Sequence, residues 1–321
     1  MLDTTRIPIP RERTLRLRPR RTRNWFAYAL IAPAALFMLL VHIVPTAFGV
    51  YTSLLKLNLF TYSQLFAAPW VGLENFRSIL FDELNPVRPG LWNATRNTLF
   101  YTGYTLTATL VLAMGLALLL NREFRGHRVL RTLMLAPWVV PSFVVAILWQ
   151  FMWQSESGVV NKVLVDYTHV LDEKPVWLLG PNSLWAIVIP SIWRGLPFVA
   201  LVFLAGLQSI PKELHEAASI DGANGWQRFR YVTVPLLRPL IAIQVLFGFI
   251  YSTYQFALPY VMMGTNPGPY ADLMMTLIVR QSFGNTLFGY GAAISTLLMI
   301  AMFMCVLVWY AAFRRDLAAV R

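Results

Sequence analysis

Six runs of about twenty almost wholly apolar residues, at 25–44, 99–120, 133–153, 183–207, 241–258 with its flanks, and 289–313, constrain this chain more than any other feature. Each is about the length a helix needs to cross a bilayer. The runs are continuously apolar, whereas strands of a membrane barrel would alternate at period two over about ten residues. The expected fold is therefore an all-α integral membrane protein with six transmembrane helices. Composition agrees, since 57% of the 321 residues are hydrophobic and 13% are charged, where a soluble domain carries about 25% charge. Lipid is the expected main solvent, and the connecting stretches are too short to hide a soluble domain.

The net charge of +12 could point to nucleic acid, but the basic residues follow the runs instead. Arg6, Arg11, Arg13, Arg16, Arg18, Arg20, Arg21 and Arg23 precede the first run. Arg122, Arg125, Arg128 and Arg131 follow the second, Lys212, Arg228, Arg230 and Arg238 follow the fourth, and Arg314, Arg315 and Arg321 follow the last. The other connections hold Lys56, Arg77, Arg88, Arg96, Lys162, Lys174 and Arg280, with Arg194 inside the fourth run. Cytoplasmic loops carry the excess of Lys and Arg, so both termini and the two basic loops are expected in the cytoplasm. No nucleic-acid partner is expected. The chain divides into a basic cytoplasmic tail at 1–24 that lies against anionic lipid, a six-span domain at 25–313, and a short cytoplasmic tail at 314–321.

Several chemistries are missing. Cys305 is the sole cysteine, so no intrachain disulfide or thiolate metal cluster can form, and His42, His127, His169 and His215 show no ligand spacing. A phosphate-cradling Gly-x-x-x-x-Gly-Lys-Ser/Thr loop is absent, as are the His-Glu-x-x-His and Gly-x-Ser-x-Gly signatures. No acid falls inside the six runs, which disfavours a carrier driven by protons or sodium. A gradient-driven carrier or channel and a membrane-embedded transferase are the competing readings.

Between the fourth and fifth runs, Pro211 and Glu213 suit the first turn of a helix, while Gly222 and Gly225 suit its end. Leu214, Ala217, Ala218 and Asp221 fall on one face of that helix, which could enter a groove on a partner. Glu216-Ala217-Ala218, Gly222 and Val232-x-Val234-Pro235 in this order resemble the EAA loop of permease subunits in bacterial ABC importers. Further motifs extend the resemblance to the maltose-type sugar permeases over roughly residues 25–315. They are Val71-Gly72-Leu73-Glu74-Asn75-Phe76, Asn97-Thr98-Leu99, Phe124-Arg125-Gly126, Arg131-Thr132, Pro137-Trp138, Pro141, Ala205 to Pro211, and Gly289-Tyr290-Gly291-Ala292-Ala293.

The resemblance implies the six-helix permease fold of type I ABC importers in the bacterial inner membrane, with the coupling loop at 208–236. It implies a second homologous permease, two ATPase subunits that hold ATP and magnesium, and an extracytoplasmic sugar-binding protein as partners. No cofactor is expected on this chain itself. Glu216, Ala217, Ala218, Asp221, Gly222 and Pro235 would couple to the ATPase. The cargo would be a di- or oligosaccharide such as maltose or trehalose, or a glycerol-phosphate-like compound.

Two segments are candidate sugar contacts. Pro190, Arg194, Gly195 and Pro197 predict an irregular fourth span, and Arg194 is either a pathway residue or a structural ion. At the end of the fifth run Tyr251, Ser252, Thr253, Tyr254 and Gln255 place polar groups and aromatic faces within little more than one helical turn, a pairing suited to sugars. The matching segments of the maltose-type permeases hold the sugar, which adds Trp193 and Phe198 to Arg194, Gly195, Tyr251, Ser252, Tyr254 and Gln255. Trp138, Trp149, Trp153, Trp185 and Trp309 are assigned to helix packing or an interfacial belt.

Overall fold

Hydrocarbon offers no partner to a backbone amide, so a chain with this pattern must satisfy its amides within helices. The computed structural model describes residues 25–318, and these are almost entirely helical, with an isolated bridge between Leu55 and Trp70. The basic tail at 1–24, expected against lipid, and residues 319–321 lie outside the described residues.

The chain divides into two compact units, one ending at Ala47 and the other beginning at Phe48. The first contains α1 (Trp25–Met38), a π-turn at Leu39–Ile43 and the start of α2 (Val44–Ser53), with Leu30, Phe37 and Ile43 exposed. In the second, α3 (Glu74–Phe81) leads to the long α4 (Arg88–Leu120). Next come α5 (His127–Leu133), α6 (Ala136–Val139), α7 (Ser142–Met152), the short α8 (Val159–Asn161) and α9 (Ser183–Gln208). The polar connection holds α10 (Lys212–Ile220) and α11 (Gly225–Arg228). Then α12 (Val234–Thr253), α13 (Ala257–Met263), α14 (Gly268–Ala271), α15 (Met274–Val279) and α16 (Phe288–Ala318) complete the described chain.

Among the described residues, Tyr28–Ser53, Arg88–Leu120, Gly180–Gln208, Gly225–Met263 and Phe288–Leu317 are long and apolar enough to cross a bilayer. The third expected span, 133–153, is not one helix. His127–Val139 and Ser142–Met152 meet at 94°. Pro141 is the cause: it lacks an amide hydrogen and drives the preceding residue into extended backbone, and Val140 accordingly has ψ 130°.

The fourth span differs in the opposite sense. Despite Pro190 and Pro197, α9 runs unbroken for 26 residues. Pro190 leaves the carbonyl of Ala186 without its usual donor, and the indole Nε1 of Trp153 supplies one at 3.0 Å. A neighbouring side chain thus satisfies the backbone that proline frees. The fifth span is interrupted, because α12 ends at Thr253 and a break precedes α13, leaving Tyr254 and Gln255 beyond the helix.

The buried stripe of α4 explains how the second unit is assembled. Leu91, Ala94, Asn97, Thr98, Tyr101, Thr102, Thr105, Thr109, Ala113, Ala117 and Leu120 recur every three or four residues. The opposite face, including Leu99, Phe100, Val111 and Leu112, is apolar and exposed. Polar side chains inward and apolar ones outward is the arrangement lipid favours. Toward the start of α4, Leu91 and Ala94 pack with Leu277, Ile294 and Leu298. Tyr101 packs with Val145, Ala146, Ile187 and Leu258. Toward the end of α4, Ala113, Ala117 and Leu120 pack with Phe203, Leu204 and Leu237.

Two motifs distant in sequence meet at one corner. The amide of Asn75 donates to Ser53 O at 2.8 Å and Leu55 O at 2.9 Å, and Gly289 N donates to Leu57 O at 2.9 Å. A Cβ at Gly289 would lie 2.5 Å from Leu55 O, so only glycine fits. The stretch between the fifth and sixth runs, a plain connection in the sequence reading, is also folded against α4. Asn97 Nδ2 donates to Pro269 O and Asp272 O, and Thr98 Oγ1 accepts from Met274 N at 2.9 Å.

Candidate functional site

The apolar clusters around Tyr101 and Ala113 leave the middle of α4 without tight packing on one side, and a cavity of about 410 Å³ lies there. Its walls are α4, α9 and α12. Glycine allows the close approach of α12 to α4, since a Cβ at Gly248 would come within 2.5 Å of Leu106 Cδ1, while a Cβ at Gly195 of α9 would make an ordinary contact, 3.8 Å from Thr109 Cγ2. The floor and rim are mixed. Tyr101, Thr105, Thr109, Ser191, Gln244 and Ser252 bring polar groups, while Leu106, Trp138, Phe198, Phe247 and Tyr251 bring apolar and aromatic faces.

Arg194 is the charged residue in this lining. Its Nε donates to Val140 O at 3.4 Å and its Nη1 to the Tyr251 hydroxyl, with Cζ 5.9 Å from the Tyr251 ring centroid. The guanidinium therefore ties the 94° corner to α12 while facing the cavity. Trp138 stacks on Phe198, with ring centroids 5.2 Å apart and planes 15° apart. Ser252 Oγ donates back to Gly248 O at 2.6 Å, and Tyr101 donates to Ser191 Oγ at 2.7 Å.

Of the sugar-contact candidates, the fold brings Arg194, Gly195, Phe198, Tyr251 and Ser252 to this one cavity. The other three are outside its lining, although the Gln255 side chain approaches the Tyr101 hydroxyl. Trp193 is 39% exposed and packs edge-on against Trp149. Tyr254 is 49% exposed beyond the end of α12, and Gln255 is buried there, its amide N–H donating to Ser252 O. Sequence reasoning missed the α4 wall, Gln244 and Trp138, which it had given to belt or packing. The four-residue spacing of Tyr101, Thr105 and Thr109 within an apolar run was the signal available.

The second candidate surface is α10 and α11. α10 starts after Pro211 and ends in a Schellman turn: Gly222 N bonds Ser219 O at 3.1 Å and Ala223 N bonds Ala218 O at 2.9 Å, with Gly222 at φ +86°. Asn224 then caps α11 in a reciprocal pair with Gln227, at 2.9 and 2.7 Å. No residue of α10 is buried. Glu216, Ala217 and Asp221 are exposed and Ala218 is half-buried, while Leu214, Ile220 and Trp226 stand out as large exposed apolar side chains. Pro235 is exposed in the first turn of α12.

Comparison with known proteins places this geometry. Residues 109–319 match the family described as binding-protein-dependent transport system inner membrane component. The inner membrane ABC transporter permease protein YcjO of Escherichia coli K12 is 34% identical over 88% of this chain and 92% of its own length. The trehalose/maltose transport system permease protein MalF of Thermococcus litoralis is 32% identical over 90% of this chain and 94% of its own. The sulfoquinovosyl glycerol transport system permease protein SmoG of Agrobacterium fabrum is 35% identical over 88% of each. Among solved structures, a bacterial alginate ABC transporter in complex with a pentasaccharide-bound periplasmic protein has a chain that superposes with TM-score 0.71. It is 23% identical, covering 92% of this chain and 96% of that one, and shares the fold.

Proposed function

The chain belongs to the binding-protein-dependent transport system inner membrane component family, and on that footing we propose that it forms one half of the translocation pathway of an ATP-driven saccharide importer. The observation that carries this reading is the mid-bundle cavity, whose aromatic faces and hydroxyls suit the C–H surfaces and hydroxyls of a sugar. Arg194, Gly195, Phe198, Tyr251 and Ser252 contact the sugar from two walls. Gln255 and Tyr254 lie beyond the end of α12 and Trp193 beside Trp149 of α7, where they bound the route to the cavity.

A second, homologous permease supplies the other half of the pathway, and an extracytoplasmic binding protein delivers the sugar. Two ATPase subunits hold ATP and magnesium. Support for their docking comes from α10, which buries nothing against this chain yet ends in a well-capped turn. Glu216, Ala217, Ala218, Asp221 and Gly222 meet the ATPase, with Pro235 starting the helix that carries its motion to the cavity. This requires both termini and the α10–α11 segment to be cytoplasmic, as the basic residues around it indicate.

The test is uptake of radiolabelled trehalose and maltose by vesicles containing the permease pair and the ATPase, with the binding protein added outside. We expect accumulation that needs both ATP and the binding protein. Accumulation without either, or of neither sugar, overturns the reading.

A further inference from the structure

Threonine in a membrane helix ordinarily bonds its hydroxyl back to the carbonyl four residues earlier. Thr95 does so to Leu91 O at 2.8 Å, Thr253 to Phe249 O at 2.8 Å and Thr296 to Ala292 O at 2.9 Å. Thr105 does not. Its Oγ1 is buried without a hydrogen-bond partner, and the residue is 8% exposed. The hydroxyl of Tyr101 lies near it and donates to Ser191, and no hydrogen bond of normal geometry joins it to Thr105 Oγ1. A buried hydroxyl left unpaired costs free energy, and each one in a folded protein calls for an explanation.

The explanation lies in what Thr105 lines. It stands one turn after Tyr101 and one turn before Thr109, and all three face the cavity opposite Arg194 and Ser252. Three other hydroxyls there already donate within the protein: Ser191 to Ile187 O, Ser252 to Gly248 O and Tyr101 to Ser191. We propose that α4 forms a third wall of the saccharide site, and that the Thr105 hydroxyl hydrogen-bonds a sugar hydroxyl. This inference rests on the saccharide reading above. It assigns a specificity-determining residue to a helix outside the two candidate segments.

Thr102 provides an internal control. Its Oγ1 is likewise buried and unpaired, but it lines a different, mostly apolar cavity between α4 and α16, beside Leu297, Met302 and Cys305. If unpaired threonines on α4 mattered only for helix packing, the two would behave alike. If Thr105 meets the sugar, they diverge.

The experiment measures equilibrium binding of tritiated trehalose and maltose to the purified, full permease–ATPase complex carrying Thr105→Val, Thr105→Ser or Thr102→Val. Co-purification of the ATPase subunits reports assembly. Valine matches threonine in shape and removes the hydroxyl, so Thr105→Val should raise Kd for the bound sugar about three- to tenfold, the range one neutral hydrogen bond supplies. Thr105→Ser should restore near wild-type binding, and Thr102→Val should leave Kd unchanged. Wild-type Kd in Thr105→Val, or an equal rise in Thr105→Val and Thr102→Val, overturns the inference while leaving the saccharide reading intact. Binding of neither sugar by the wild-type complex overturns both.

Discussion

Arg194 of α9 donates from Nε to the carbonyl of Val140 at 3.4 Å, at the corner that Pro141 imposes between α6 and α7. The same guanidinium reaches the Tyr251 hydroxyl. Of the two sequence readings of Arg194, the structural one has its contacts here: the side chain holds a bent span and α12 together, and it does so at the wall of the cavity. A planar fork can serve both acceptors at once, whereas an ammonium on a flexible stem cannot do so in fixed geometry.

Arg194→Lys should therefore weaken transport about tenfold, since a hydrogen bond from a charged donor contributes about 1.5–3 kcal/mol and 1.4 kcal/mol is a decade. Arg194→Gln should do more damage. A double-mutant cycle with Tyr251→Phe, read by thermal melting of the purified complex, should show coupling of about 0.5–3 kcal/mol. Strict additivity would show that the contact carries no energy.

How far the sequence was legible depends on what kind of information set each feature. Apolar run length decides spans, so five were visible and the sixth was visible as a length but not as a bend. Pro141 stood in that run, yet a proline inside an apolar segment can either break the helix or be absorbed. Pro190 was absorbed because Trp153, 37 positions earlier in the chain, donates to Ala186, and such long-range pairing leaves no local trace. The end of α10 was legible, since Gly222 acts through its own neighbours. Half of the cavity was legible because Arg194 and the Tyr251–Ser252 pair are anomalous in lipid. Trp138 was not, because a tryptophan in a membrane helix is ordinary until the helix opposite is known, and the four-residue spacing of the α4 threonines marks a face without saying what that face meets.

A β-branched side chain at Gly248 should be poorly tolerated. Its Cβ would lie 2.5 Å from Leu106 Cδ1, so the Leu106 methyl must turn into the cavity it lines or α12 must move away from α4. Overpacking of this kind costs about 1–3 kcal/mol. Gly248→Val should lower the melting temperature of the complex and reduce saccharide binding, and Leu106→Ala in the same chain should recover part of both. No recovery would mean that the contact does not set the helix spacing.

Gly222→Val should uncouple the two candidate surfaces. At φ +86° a β-branched residue is strained by about 1–2 kcal/mol, which disfavours the Schellman turn that closes α10. We expect ATPase co-purification and ATP-driven uptake to fall, while binding of saccharide to the permease pair persists. Full assembly and uptake in this variant would show that the turn is not part of the docking surface.

Asp272 and Arg280 form an ion pair in the folded segment between α13 and α16, with side chains 6% and 18% exposed. The pair closes that segment on itself, beside the backbone groups that join it to α4: Asn97 Nδ2 donates to Asp272 O, and the neighbouring Met274 N donates to Thr98 Oγ1. Arg280 Nη1 meets Asp272 Oδ1 at 3.1 Å, and Thr276 Oγ1 lies 2.8 Å from the same oxygen. Removing one member of a buried pair strands the other and costs about 3–5 kcal/mol, whereas replacing both with apolar groups of similar volume is often close to neutral. Asp272→Leu should therefore lower the melting temperature of the complex more than the Asp272→Leu/Arg280→Met double variant does. Arg280→Met alone should also be worse than the double, because it leaves a buried carboxylate with only Thr276 beside it. The measurement is thermal unfolding followed by size-exclusion chromatography of the solubilised complex. A double variant that melts below both single variants would show that each charge stabilises the segment independently of the other, and that the pair is not what holds it folded.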